Sequence, residues 1–170
     1  KAVKNSGVQI VTGDTKVVDK GKGDKIFINT SGVGTIPDDI NIGPKRAENG
    51  DVIIINGKIA EHGISIMSSR EGLVFETSIE SDTMALNGLM DDVYKVTKDI
   101  HVLRDPTRGG VSSALNEIAR SANVGIEIHE NSIPITEQAK GACEILGLDP
   151  LYIANEGKIL IIVPETHSEQ

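Results

Sequence analysis

Arg104-Asp105-Pro106-Thr107-Arg108-Gly109-Gly110 runs directly into Val111, Ala114, Leu115, Ile118 and Ala119, apolar residues spaced three and four apart. That spacing predicts a helix with one buried face. The proline and paired glycines before it predict a sharp turn at the helix entrance. Outward from this segment, two further stripes have the same period. Leu86, Leu89, Met90, Val93 and Val96 form one; Ala139, Ala142, Cys143 and Leu146 form the other, with Thr136 as N-cap and Gly147 as the residue after the helix. A fourth helix is expected from about 62 to 69. Between the helices lie short, often β-branched runs at 8–11, 26–28, 52–55, 126–128 and 159–163, each bounded by Gly, Asn, Asp or Pro. Such runs read as strands, and the fold class is α+β.

A boundary is expected between about 30 and 43, because Thr30-Ser31-Gly32-Val33-Gly34-Thr35-Ile36-Pro37-Asp38-Asp39 is rich in turn formers. Only two strands and the tail of a helix precede it. Two strands alone are marginal in water, so they belong to a sheet whose other strands lie elsewhere.

Composition narrows the function classes. The 170 residues are 38% hydrophobic and 25% charged, as in a globular protein. A net charge of -8, no Trp, two Tyr and two Phe argue against a nucleic-acid partner, which needs a basic face and stacking platforms. The single cysteine, Cys143, rules out a disulfide framework and a Cys-based zinc site, and its place in an apolar stripe reads as core. No apolar run nears the roughly 18 residues of a membrane span, and no signal-peptide stretch opens the chain. The expectation is a cytoplasmic protein without membrane contact. An opening on Lys1-Ala2-Val3-Lys4 without Met reads as an excised piece of a longer chain.

Three segments carry residues suited to phosphate binding or proton transfer. In Thr12-Gly13-Asp14-Thr15-Lys16, strand alternation projects Thr12, Asp14 and Lys16 to one side. Asp14 offers hard oxygens to Mg²⁺ and Lys16 a compact cation to a phosphate oxygen; an ordinary surface ion pair fits equally. At 104–110, free N–H groups of a helix start bind anions and Arg108 can make a bidentate contact. A helix entrance capped by Asp105 or Thr107 fits as well. In Asn155-Glu156-Gly157, a carboxylate held at a strand edge can serve as a base, and the triplet is equally good turn chemistry. The four histidines show no ligand spacing, and Asp91-Asp92 reads as a solvated helix face.

Val11-Thr12-Gly13-Asp14-Thr15-Lys16-Val17-Val18, Gly32-Val33-Gly34, Arg104-Asp105-Pro106-Thr107-Arg108-Gly109-Gly110 and Ala154-Asn155-Glu156-Gly157-Lys158 stand in the order found in HypE proteins. On these motifs the chain resembles the HypE family of hydrogenase-maturation enzymes. That family falls within the superfamily of aminoimidazole ribonucleotide synthetase, selenophosphate synthetase and thiamine-monophosphate kinase. The resemblance implies a PurM-like C-terminal domain at 43–170, with helices packed on a mixed β-sheet. A linker at 36–42 and a remnant of an N-terminal α/β ATP-binding domain at 1–35 would precede it.

The resemblance also implies a reaction, in which ATP drives dehydration of an S-carbamoyl cysteine to a thiocyanate, the source of the cyanide ligand of [NiFe] hydrogenase. Lys16 and Glu156 would be catalytic. Asp14, Thr15, Arg108, Gly109 and Gly110 would bind ATP, with Asp14 on Mg²⁺. The implied partners are a second copy in a homodimer, HypF and the HypC–HypD complex. A tail with a terminal cysteine is expected beyond Gln170, so these residues alone are expected to be inert. Two other readings remain: a selenophosphate synthetase or thiamine-monophosphate kinase type of activity, and a non-catalytic docking domain with this fold.

Overall fold

The structure is a computed structural model that describes residues 2–23, 26–72 and 79–169. The chain divides into two compact units, Lys1–Asp38 and Asp39–Gln170.

The first unit holds a short helix, α1 (Ala2–Asn5), followed by chain without regular secondary structure that includes a turn closed by a Lys22 N–H to Asp19 carbonyl bond of 3.0 Å. The strands expected at 8–11 and 26–28 are not formed. Neither segment has regular secondary structure: strand structure requires a neighbour to take the backbone N–H and C=O groups, and no ladder forms among the described residues here. Their side chains are accordingly bare, Val11 at 88% and Phe27 at 81% exposure.

In the second unit three strands form one sheet: β1 (Asp51–Ile55), β2 (Val102–Arg104) and β3 (Leu160–Pro164), in the order β1-β3-β2. Asp51 pairs with Pro164 and Ile55 with Leu160 on one side of β3; Val102 pairs with Ile162 and Arg104 with Leu160 on the other. The expected mixed sheet is thus, among the described residues, antiparallel throughout. β1 and β2 run in the same direction, yet the last strand is inserted between them and opposes both. Leu160 and Ile162 point to one face and Ile161 and Val163 to the other, as strand alternation demands. Both faces are covered, so Leu160-Ile161-Ile162-Val163 is apolar without a break.

On the first face lie α2 (Glu61–Glu71), α4 (Gly110–Ala122) and α5 (Glu137–Leu146), contributing Ile64, Leu115, Ile118, Ala142 and Cys143 to the core. On the second lies α3 (Asn87–Val96), whose Met90, Val93 and Tyr94 cover Ile100, Ile161 and Val163. The expected ends of α5 are found: the Thr136 hydroxyl accepts the Ala139 N–H at 3.2 Å, and Gly147 closes the helix at φ 66°.

The segment 126–128 does not become a strand. Val124 and Ile126 turn inward while their neighbours face out, but no ladder joins the segment to β1. An open groove of about 800 Å³ separates the two, lined by Val52, Ile53 and Ile55 on one side and Val124 and Ile126 on the other.

Ile162, 2% exposed on the central strand, carries the packing of the larger core. Ile162→Ala is expected to cost about 2–5 kcal/mol of unfolding free energy, measured by urea denaturation of this chain beside the wild type.

Candidate functional site

Two of the motifs meet through one buried amide. Asn155, 2% exposed, donates from Nδ2 to the Pro106 carbonyl at 3.1 Å and to the Ile153 carbonyl at 2.9 Å. Its Oδ1 accepts the Ala60 N–H at 2.8 Å, and its backbone N–H reaches the Pro106 carbonyl at 3.2 Å. A carboxamide has the two donors and the acceptor that this position uses. The bonds join the loop before α4, the start of α2 and the turn before β3. Ala60 has φ 72°, a left-handed conformation unfavourable for a residue with a Cβ, and Asn155 holds it there.

Close backbone packing completes the junction. Gly110 is buried at φ 62°, and a Cβ there would overlap the backbone of Leu151, Tyr152 and Ile153. A Cβ on Gly109 would overlap Ser113, and one on Gly63 would meet Ile153 and Ala154. The neighbour that requires glycine at 109 and 110 is therefore the protein itself. Neither Asp105 nor Thr107 caps α4. The N-cap is Gly109, in a left-handed conformation and with no side-chain cap bond. Asp105 is turned away, accepting from Thr107 Oγ1 at 2.8 Å and pairing with Arg104 at 3.0 Å; Arg104 also pairs with Glu117 at 2.9 Å. Arg108 is exposed.

Glu156 follows Asn155 and is half-buried. Gly157 then turns the chain at φ 61°, packed so closely on Asp82 and Met84 that a Cβ would overlap their backbone. The side chain of Asn56 brackets the turn, donating to the Gly157 carbonyl at 3.0 Å and accepting the Ile159 N–H at 2.8 Å. Lys158, 6% exposed, forms an ion pair with Asp82. The neighbouring Ser81 hydroxyl bonds Thr83 Oγ1 at 2.7 Å and His62 Nδ1 at 2.8 Å, which ties this stretch to α2.

The structure thus brings Arg108, Gly109 and Gly110 to the same junction as Glu156. Asp14, Thr15 and Lys16 lie in the first unit, all exposed, with the Asp14 carboxylate accepting the Thr15 N–H at 2.8 Å. Asp82, Asn56 and the ion pairing of Lys158 are not marked in the sequence by any motif. Asp82 belongs to no motif and finds its partner 76 positions away. A lysine opening a wholly apolar strand was the available signal. Among the described residues no group of three or more His, Cys, Asp or Glu side chains is placed to hold a metal ion. His101 is buried against Asp51 at 2.8 Å and joins the ends of β1 and β2. Burial also pushes the Cys143 thiol above its ordinary pKa, so it stays neutral in the core. No helix among the described residues is long and apolar enough to cross a membrane.

This fold, with its glycine-packed loop before a helix and a carboxylate turn before the central strand, defines a class. Residues 48–170 match the AIR synthase related protein, C-terminal domain, and the chain belongs to that family. More particularly, it is similar to carbamoyl dehydratase HypE of Azotobacter vinelandii, 49% identical over 169 residues that make up 99% of this chain and 50% of that protein. It is similar to a crystal structure of the hydrogenase maturation protein HypE in complex with ATP, with a TM-score of 0.94 at 47% identity over 99% of this chain and 50% of that one. The HypE–HypF complex gives 0.95 at 49% identity, over 99% of this chain and 55% of that one. The chain spans about half the length of the curated relatives it matches. A thiamine-monophosphate kinase from Aquifex aeolicus reaches a TM-score of only 0.52 at 19% identity over 74% of this chain and 45% of that one, which shows the fold alone.

Asn155→Ala leaves the Ala60 N–H without its acceptor and the Pro106 and Ile153 carbonyls without the carboxamide donor. A loss of about 3 kcal/mol is expected, since each orphaned buried group costs about 1–3 kcal/mol. Asn155→Asp is expected to lose nearly as much, because a carboxylate cannot donate; denaturant titration of both variants checks this.

Proposed function

We propose that this chain is part of an ATP-dependent carbamoyl dehydratase that converts an S-carbamoyl cysteine to a thiocyanate. Residues 1–35 then represent the end of an ATP-binding domain, 36–42 a linker and 43–170 the AIR-synthase-related domain. The observation that carries this reading is the Asn155 junction, which fastens the Arg108-Gly109-Gly110 loop to the Glu156 turn in a chain 49% identical to a carbamoyl dehydratase.

An amide oxygen is a poor leaving group. Phosphorylation by ATP makes it leave as phosphate, with ADP released, and formation of the carbon–nitrogen triple bond then requires loss of both N–H protons. Glu156, fixed by its neighbours and half-buried, is the carboxylate suited to accept them. Lys16 supplies positive charge to the transferring phosphoryl group, and Arg108 a bidentate contact to phosphate oxygens. Thr15, Gly109 and Gly110 shape the nucleotide site. Asp14 has exposed hard oxygens of the kind Mg²⁺ takes, and the cation would neutralise phosphate charge there.

By likeness to a HypE–HypF complex, HypF is a partner. The HypC–HypD complex, a second copy of the chain in a homodimer, and a cytoplasmic location belong to the same reading. The thiamine-monophosphate kinase alternative rests on fold alone and has no residue-level support.

The test is made in the full-length parent protein, following ATP-dependent conversion of its carbamoylated cysteine to thiocyanate by mass spectrometry. Lys16→Ala and Glu156→Gln are expected to lower kcat at least about a hundredfold, the span of a lost proton-transfer or charge-stabilising group. Wild-type rates in both variants would remove these assignments.

A further inference from the structure

We propose that the Asp82–Lys158 ion pair is a positioning device for Glu156; the inference rests on the dehydratase reading above. Lys158 Nζ meets Asp82 Oδ2, with the two side chains only 5% and 18% exposed. The other carboxylate oxygen, Asp82 Oδ1, is shielded from solvent and receives no hydrogen bond from a described residue. A buried pair with one oxygen unsatisfied is a poor way to gain stability, because desolvation offsets most of the attraction. What such a pair does supply is a fixed geometry.

The residues around it show what is fixed. Glu156 stands between two clamps. On its N-terminal side Asn155 is bonded to Pro106, Ile153 and Ala60. On its C-terminal side Gly157 is packed on the backbone of Asp82 and Met84, and Asn56 holds both the Gly157 carbonyl and the Ile159 N–H. The ion pair draws the same two segments together at the next side chain. The 81–83 stretch is itself held to α2 by the Ser81 and His62 contact. Without the pair, the C-terminal clamp rests on Asn56 and on van der Waals contact at Gly157. Lys158 acts through the backbone and touches no substrate in this scheme, since its ammonium is occupied by Asp82.

The experiment uses the full-length parent enzyme and reads kcat, the KM for ATP and Tm for Asp82→Asn, Lys158→Met and Lys158→Arg, with Glu156→Gln alongside. The expected result is a fall of kcat by about 10- to 100-fold in Asp82→Asn and Lys158→Met, the effect of a misplaced catalytic group. The KM for ATP should stay unchanged, and Lys158→Arg, which keeps the pair, should recover most of the rate. Should Lys158→Met not accumulate in folded form, Asp82→Asn, which is isosteric and removes the anionic partner of Lys158, decides alone. If these variants lower Tm while kcat per folded molecule stays at the wild-type value, the pair is structural and the positioning role is overturned. If Glu156→Gln itself retains full activity, the dehydratase assignment of Glu156 fails, and the positioning role falls with it.

Discussion

A single buried carboxamide decides whether the second unit has a site at all. Asn155 spends both amide protons and its oxygen on the loop before α4, its own turn and the start of α2. The loop before α4 and the start of α2 lie 49 and 95 positions from Asn155, and among the described residues no strand ladder joins them. Loop backbone that is buried must find partners somewhere. Here one side chain adds its bonds to the backbone bonds of Asn155 N–H to Pro106 and Gly63 N–H to Ala154, and together they fix the positions of Gly110, Ala60 and Glu156 relative to each other.

The glycines belong to the same constraint. Gly110 and Gly157 face another segment's backbone too closely for a Cβ, and Gly63 faces the Ile153 side chain as closely, so the loop, α2 and the carboxylate turn approach to van der Waals contact. From sequence, Gly109-Gly110 stand for a sharp turn and, by resemblance, for ATP binding. Gly110 also packs against the backbone of Leu151–Ile153 and Gly109 against the Ser113 side chain, and a motif glycine does not say in sequence what lies nearest to it. The same ambiguity affected the α4 entrance, where two good capping residues precede a helix that neither of them caps.

Three of the four long helices, α3, α4 and α5, were legible because each keeps an apolar stripe at helical period, and Thr136 and Gly147 mark the ends of α5 by ordinary capping chemistry. Strands were less so. The runs at 52–55 and 159–163 lie in the sheet, while 8–11, 26–28 and 126–128 have strand composition without a ladder. β2 escaped notice because three residues are too few to show a period. Strand structure is a relation between two segments, whereas helical structure is internal to one.

The sequence by itself determined the α+β class, the helix positions, and a set of chemically apt residues: Asp14, Lys16, Arg108 and Glu156. It could do so because periodicity and side-chain chemistry are local properties. Tertiary structure alone decided that β3 enters between β1 and β2, that Asn155 is a buried junction, and that Lys158 is neutralised by Asp82. Those outcomes depend on which distant groups become neighbours once the apolar faces are buried, and a buried polar group takes its role from the partners that surround it there.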